Sequence, residues 1–258
     1  MVYFSYLAIL RYRTLNSHYY DLGIMNQVVY NTSRGRILQM SDQTLKKNVN
    51  RLAVHFDPIL VLLAPFYWIY PSPDVLLVTQ TIIVGLGALG VYLIAKKILG
   101  KDLIALIFSV SYLFYFPVQR VVLFDFHAVS FATTFLLFAI YFYLSKNYKS
   151  YFIFIFLSLL TKEHVGLTVF LLGIYLFFIK KEKKVGLITA IVGAVFFIAT
   201  VYFIIPHFRG DVHFARSYFV GIRQRKATII KEGFLYIEQL LLPNFYSLFS
   251  PFALLISS

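Results

Sequence analysis

Long apolar runs alternate with short charged breaks along most of the chain. Runs at 75–95, 103–118, 128–144 and 185–205 are unbroken, and a further pair, 151–161 and 165–179, is split by the string TKEH. A helix needs about 20 apolar residues, at 1.5 Å rise each, to cross roughly 30 Å of hydrocarbon. The runs approach that length and are continuous rather than alternating. They therefore predict helices, not the strands of a transmembrane barrel. The first ten residues, MVYFSYLAIL, are half a span, and PFALLISS at the other end starts another, so the chain reads as one transmembrane domain from a longer protein.

Composition supports the membrane reading. Of 258 residues, 60% are hydrophobic and 14% charged, where a soluble domain carries about 25% charged residues. Mean hydropathy is +0.76. With no cysteine present, disulfides and thiol chemistry are excluded.

The charges that remain are sorted by type. Three short loops, after 75–95, 128–144 and 165–179, hold nine lysines. The positive-inside rule makes these loops cytoplasmic and puts 11–74, 119–127, 162–164 and 206–232 on the extracytoplasmic side. All ten arginines fall on that second side, with fifteen of the 24 basic residues. Arginine offers a planar fork that grips phosphate at two points, whereas lysine offers a point charge. Contact with lipid headgroups accounts for the same arginines without a specific ligand.

Acidic residues follow the same division. Asp21, Asp57, Asp125 and Glu163 lie near the expected extracytoplasmic helix ends, in the strings YYDLG, HFDP, FDFH and TKEH. Three of these strings also carry a histidine. Residues two apart on a helix point about 200° from each other, so Asp125 and His127 share a ligand only where the chain is extended. His55, Asp57, Asp125 and His127 together have the chemistry of a divalent metal site. Helix capping and interhelical hydrogen bonding are the competing roles for the same side chains.

Within 11–74, Asp21 stands where an N-cap is expected. An amphipathic helix over 22–33 follows, carrying Leu22, Ile24, Met25, Val28 and Val29, with Gly35 as its stop. The run 58–71 is only fourteen residues long and rich in proline. It predicts a second interfacial helix with Tyr67, Trp68 and Tyr70 at headgroup level. The fold expected from all this is all-α: a polytopic helix bundle with interfacial helices in its first extracytoplasmic loop.

The strings YDLGIMNQVVYNTSRGR, HFDPILVLLAPFYWIYPSP, LFDFH and LLTKEHVGL resemble a prokaryotic family of multipass membrane proteins of unknown function, over nearly the whole chain. That family in turn is similar to the GT-C glycosyltransferases, which use polyprenyl-phosphate sugars outside the cytoplasm. Those enzymes carry an aspartate in the first outer loop, followed by surface helices, which Asp21 and the helices near 22–33 and 58–71 match. Asp125 matches their second acidic site, and Leu160-Thr161-Lys162 resembles a leucine-threonine-lysine string of the aminoarabinose and mannose transferase branches. Glu163 departs from that string, where glycine commonly follows the lysine.

The resemblance implies sugar transfer from a lipid-linked sugar phosphate. A carboxylate takes the acceptor's proton and cations stabilise the departing phosphate. Asp21 is the expected base, with Asp125 as second acid or positioner. His55, His127, Lys162 and Glu163 are expected to line the substrate cavity, and Lys162, Arg209, Arg216, Arg223 and Arg225 to meet phosphate. Two other classes fit the same residues: a transporter or channel with a polar cavity at the break 161–164, and a non-catalytic membrane scaffold.

Three pattern matches carry little. GLGALG at 85–90 fits a dinucleotide-binding glycine pattern but lies inside an apolar run with no strand before it, so close helix packing is expected instead. NTS at 31–33 fits a glycosylation sequon by pattern alone. The pI near 9.7 comes from basic residues spread over loops with no aromatic-basic module, which points to membrane lipid as partner rather than nucleic acid.

Overall fold

A computed structural model describes residues 1–17, 19–42 and 47–210, all within one compact unit. Its elements are helices except for one hairpin. Helix α1 covers Val2–Arg13 and α2 Tyr19–Ser33. Strands β1 (Gln39–Asp42) and β2 (Lys47–Asn50) follow. A 3₁₀ turn at Arg51–Ala53 and another at Pro58–Leu63 lead into the short α3, Ala64–Ile69.

The apolar runs fold as α4 (Pro73–Leu99), α5 (Asp102–Phe114), α6 (Phe116–Leu123), α7 (Ser130–Leu144), α8 (Tyr148–Leu159), α9 (Val165–Phe178) and α10 (Lys183–Ile198). A π-helical segment, Ala199–Ile204, joins α10 to α11, Ile205–Arg209. Pro206 explains that widening: its ring and missing N–H do not fit a regular α ladder.

Among the described residues, two helical stretches are long and apolar enough to cross a membrane, Pro73–Leu99 and Lys183–Arg209, with a third if the pair α5 and α6, bent by 47°, counts as one span. The expected run 103–118 is thus broken at Tyr115, two residues before Pro117. Helices α7, α8 and α9 occupy their expected segments but hold 15, 12 and 14 residues. At 1.5 Å per residue they rise about 18 to 22 Å, short of a full hydrocarbon core. In α7 the residues lost from the expected run are 128 and 129, which belong to the turn that carries Asp125 and His127.

Helix α4 packs against α5 and α7, α7 against α8, and α9 against α10. Small residues set these distances. A Cβ at Gly87 would meet Tyr112 and Thr134, and one at Gly173 would overlap the backbone of Ala190. The GLGALG string is therefore a helix-packing surface, as expected. Hydrogen bonds across helices reinforce it: Tyr112 donates to the Val84 carbonyl at 2.9 Å and Thr134 to Ile83 at 2.7 Å.

The segment 11–74 departs from expectation at four points. It contains an antiparallel hairpin, with Gln39 opposite Asn50 and Asp42 opposite Lys47, so the fold is not purely helical. Gln27 holds this hairpin on α2 through both its amide groups, to Ser41. Helix α2 starts at Tyr19, which puts Asp21 inside the first turn and not at the N-cap. Its apolar residues Leu22, Met25, Val28 and Val29 are buried against Leu60, Leu63 and Tyr67, so they face protein and not lipid. Tyr67 itself is buried and donates to Asn26 at 2.8 Å, while Trp68 and Tyr70 are exposed. Gly35 ends α2 as expected, at φ +80°, a conformation only glycine adopts without strain.

Candidate functional site

Helix α6 stops at Leu123, Phe124 is extended, and the chain passes through 125–127 outside any regular element and a turn at 128–129 before α7 starts. Phe126 anchors this segment, fully buried in the core beneath α2. The side chains on either side of Phe126 carry the chemistry.

His127 is held at several points. Its Nδ1 lies 2.9 Å from the Asp125 carbonyl oxygen, and its ring stacks on Phe124 with centroids 5.7 Å apart. A carbonyl only accepts, so Nδ1 carries the hydrogen and the neutral ring keeps its lone pair on Nε2. Nε2 stands 3.6 Å from Oδ2 of Asp21, in the first turn of α2. With the ring neutral, two acceptors face one gap, and both side chains are partly open to their surroundings.

Asp125 meets helix α1. Its carboxylate is buried, 4.0 Å from a guanidinium nitrogen of Arg11 at the end of α1. Arg11 also donates to the Leu123 carbonyl and lies over the Phe124 ring. A buried carboxylate without a cation is costly, and Arg11 supplies one.

A cleft of about 570 Å³ opens beside the turn, with Gln80, Arg120, Phe124, His127, Ser130 and Thr133 among its lining residues. Its wall is mixed, apolar from Phe124, Val121 and Val129 and polar from the others. Arg120 is exposed there, its guanidinium over the ring of Phe116.

The strings HFDP and TKEH form a separate knot. Glu163 accepts from the His55 ring at 2.9 Å and from the Phe56 amide at 3.0 Å. Burial alone would raise its carboxyl, but those bonds outweigh it and hold the group down to about 2. Ile59 donates its amide to the Leu160 carbonyl at 3.0 Å, tying the loop to the turn between α8 and α9. Asp57 is gripped by the buried guanidinium of Arg51 through Nε at 3.1 Å and Nη2 at 2.8 Å.

The structure therefore brings Asp21 and His127 together, sets the Asp125 carboxylate on Arg11 instead, and pairs His55 with Glu163. The metal quartet of His55, Asp57, Asp125 and His127 is not assembled, because Arg51 and Glu163 occupy Asp57 and His55. Among the described residues no three His, Asp or Glu side chains converge as metal ligands. Lys162 is half-buried and does not pair with Glu163, whose partner is His55. Arg209 is half-buried on α11, which packs on the Arg51–Ala53 turn. Arg216, Arg223 and Arg225 lie outside the described residues. Asn31 of the sequon is buried and bonds the Gln39 carbonyl and Arg36, so it has a structural role.

Sequence reading missed Arg11, Arg51, Arg120 and Gln80. For Gln80 a signal existed: it is the one carboxamide in the run 75–95, and a polar side chain in a span calls for a partner.

No curated protein and no solved structure matches the chain. A family described as "Predicted membrane protein (DUF2079)" matches residues 11–257, almost the full length. A chain with this helical architecture and this coverage belongs to that family of predicted membrane proteins, DUF2079.

Proposed function

We propose that the protein is a membrane glycosyltransferase moving a sugar from a polyprenyl-phosphate donor to a hydroxyl acceptor on the extracytoplasmic side. The observation that supports it is the meeting of Asp21 and His127, 106 positions apart, with acceptor atoms 3.6 Å from each other and His127 lining a cleft. A gap between two acceptors suits a donor such as an acceptor hydroxyl. As that oxygen bonds to the anomeric carbon, its proton passes to Asp21, with His127 sharing it. The bond from the anomeric carbon to the phosphate oxygen breaks, and the phosphate leaves with the electron pair. Arg120 is positioned to meet that charge from the cleft wall. Asp125 acts behind the pair, its carbonyl orienting His127 and its carboxylate balanced by Arg11.

The test uses protein purified into lipid nanodiscs and a panel of polyprenyl-phosphate sugars, with release of polyprenyl phosphate as the readout. Asp21→Asn and His127→Gln are expected to fold at normal yield and to lose at least about 99% of the wild-type rate. Full activity in both folded variants would remove the pair from the chemistry.

A further inference from the structure

We infer that Gln80 is a positioning residue of this site: from inside α4 it holds the Asp125–His127 turn so that the imidazole hydrogen stays on Nδ1 and Nε2 faces Asp21. Its functional sense rests on the Asp21–His127 reading above.

Gln80 lies two turns into the longest apolar helix and is completely buried. A carboxamide there is costly unless every group is bonded, and each is. Its oxygen accepts from the His127 amide at 2.8 Å and the Ser130 hydroxyl at 3.2 Å. Its nitrogen donates to the Val121 carbonyl at 2.9 Å and approaches the Asp125 carbonyl at 3.5 Å. The partners span the last turn of α6, the turn after it and the first residue of α7, so one side chain fixes both ends and the middle. With the His127 amide held, the Asp125 carbonyl comes within 2.9 Å of Nδ1.

A carboxamide supplies two N–H donors and an oxygen that accepts twice, which is what these four partners take up. An ionised carboxylate at position 80 would leave the Val121 and Asp125 carbonyls facing another acceptor, and the neutral acid would serve only one of them. A thioether would leave the His127 amide and those carbonyls unsatisfied, freeing the turn to rotate.

The test measures the tautomer directly. Protein with ¹⁵N-labelled histidine is placed in lipid nanodiscs, and the His127 signals are identified by their loss in His127→Gln. Neutral His127 is expected as the Nδ1–H form in wild type and as a mixture of both forms in Gln80→Glu and Gln80→Met. Transfer in those variants is expected to fall roughly tenfold to a hundredfold. Wild-type His127 in the Nε2–H form would overturn the assignment, as would an unchanged tautomer in both folded variants. If neither variant folds, the wild-type tautomer decides: Nδ1–H sustains the assignment. Should the tautomers behave as expected while wild type transfers no sugar, glycosyl transfer fails and the positioning role stands.

Discussion

Glu163 and His55, 108 positions apart, share a hydrogen bond of 2.9 Å that fastens the turn between α8 and α9 to the loop before α3. Phe56 reinforces it twice, through its amide on Glu163 and its ring edge-on to Phe196 of α10 at 5.3 Å. The knot joins the first long loop to the later helices. It is a structural counterpart to the candidate site.

Acid should undo this knot in a defined window. The folded carboxyl of Glu163 titrates at about 2, below its ordinary 4.5. A lowered carboxyl contributes stability that is complete above pH 4.5 and is lost as pH falls towards 2. At about 1.4 kcal/mol per pH unit the contribution has a ceiling of roughly 3 kcal/mol. Thermal unfolding in detergent between pH 7 and pH 3 is expected to drop more steeply for wild type than for Glu163→Gln, which starts lower at pH 7.

Arg51 and Asp57 form a buried two-point pair, and removing one partner strands the other. Arg51→Met is expected to destabilise by about 3–5 kcal/mol, because Asp57 stays buried without its cation. Arg51→Lys should be intermediate, keeping the charge and losing the fork. Midpoints of denaturation in detergent rank the three proteins. Equal stability of Arg51→Met and wild type would contradict the burial of the pair.

The close approach of α9 and α10 predicts a size limit at Gly173. Gly173→Ala is expected to cost about 1–3 kcal/mol, since the new methyl meets Ala190 backbone and not a movable side chain. Gly23→Ala in α2 meets nothing within 4 Å, so the same change there should be neutral or stabilise by up to about 1 kcal/mol. Comparing the two by thermal unfolding separates packing from helix propensity.

Orientation is open to direct labelling, since the chain has no cysteine of its own. Lys149→Cys, exposed in the first turn of α8, is expected to stay hidden from impermeant maleimide in intact cells, and Arg34→Cys, exposed beyond α2, to be labelled. The reverse pattern would invert the assignment of faces and move Asp21 to the cytoplasm.

Much of the architecture follows from the sequence alone. Apolar runs without partners for their backbone groups must be helices in a membrane, so α4 and α10 lie where hydropathy puts them. The turn at Asp125 and His127 was legible too, because residues two apart cannot share a helix face and a carboxylate is costly in hydrocarbon. Pairings were not legible. Whether His55 meets Glu163 or Asp57, and whether Asp21 caps a helix or meets His127, depends on which segments dock, and a single sequence carries no distance between them. The strand pair Gln39–Asp42 and Lys47–Asn50 also escaped, because these polar strands lack the alternation that marks a half-buried sheet and are held by Gln27 and one another. Gln80 shows the division most clearly. Its type in an apolar run announced that it needs partners, but only the folding of α6 and α7 against α4 decided that those partners are the backbone around His127.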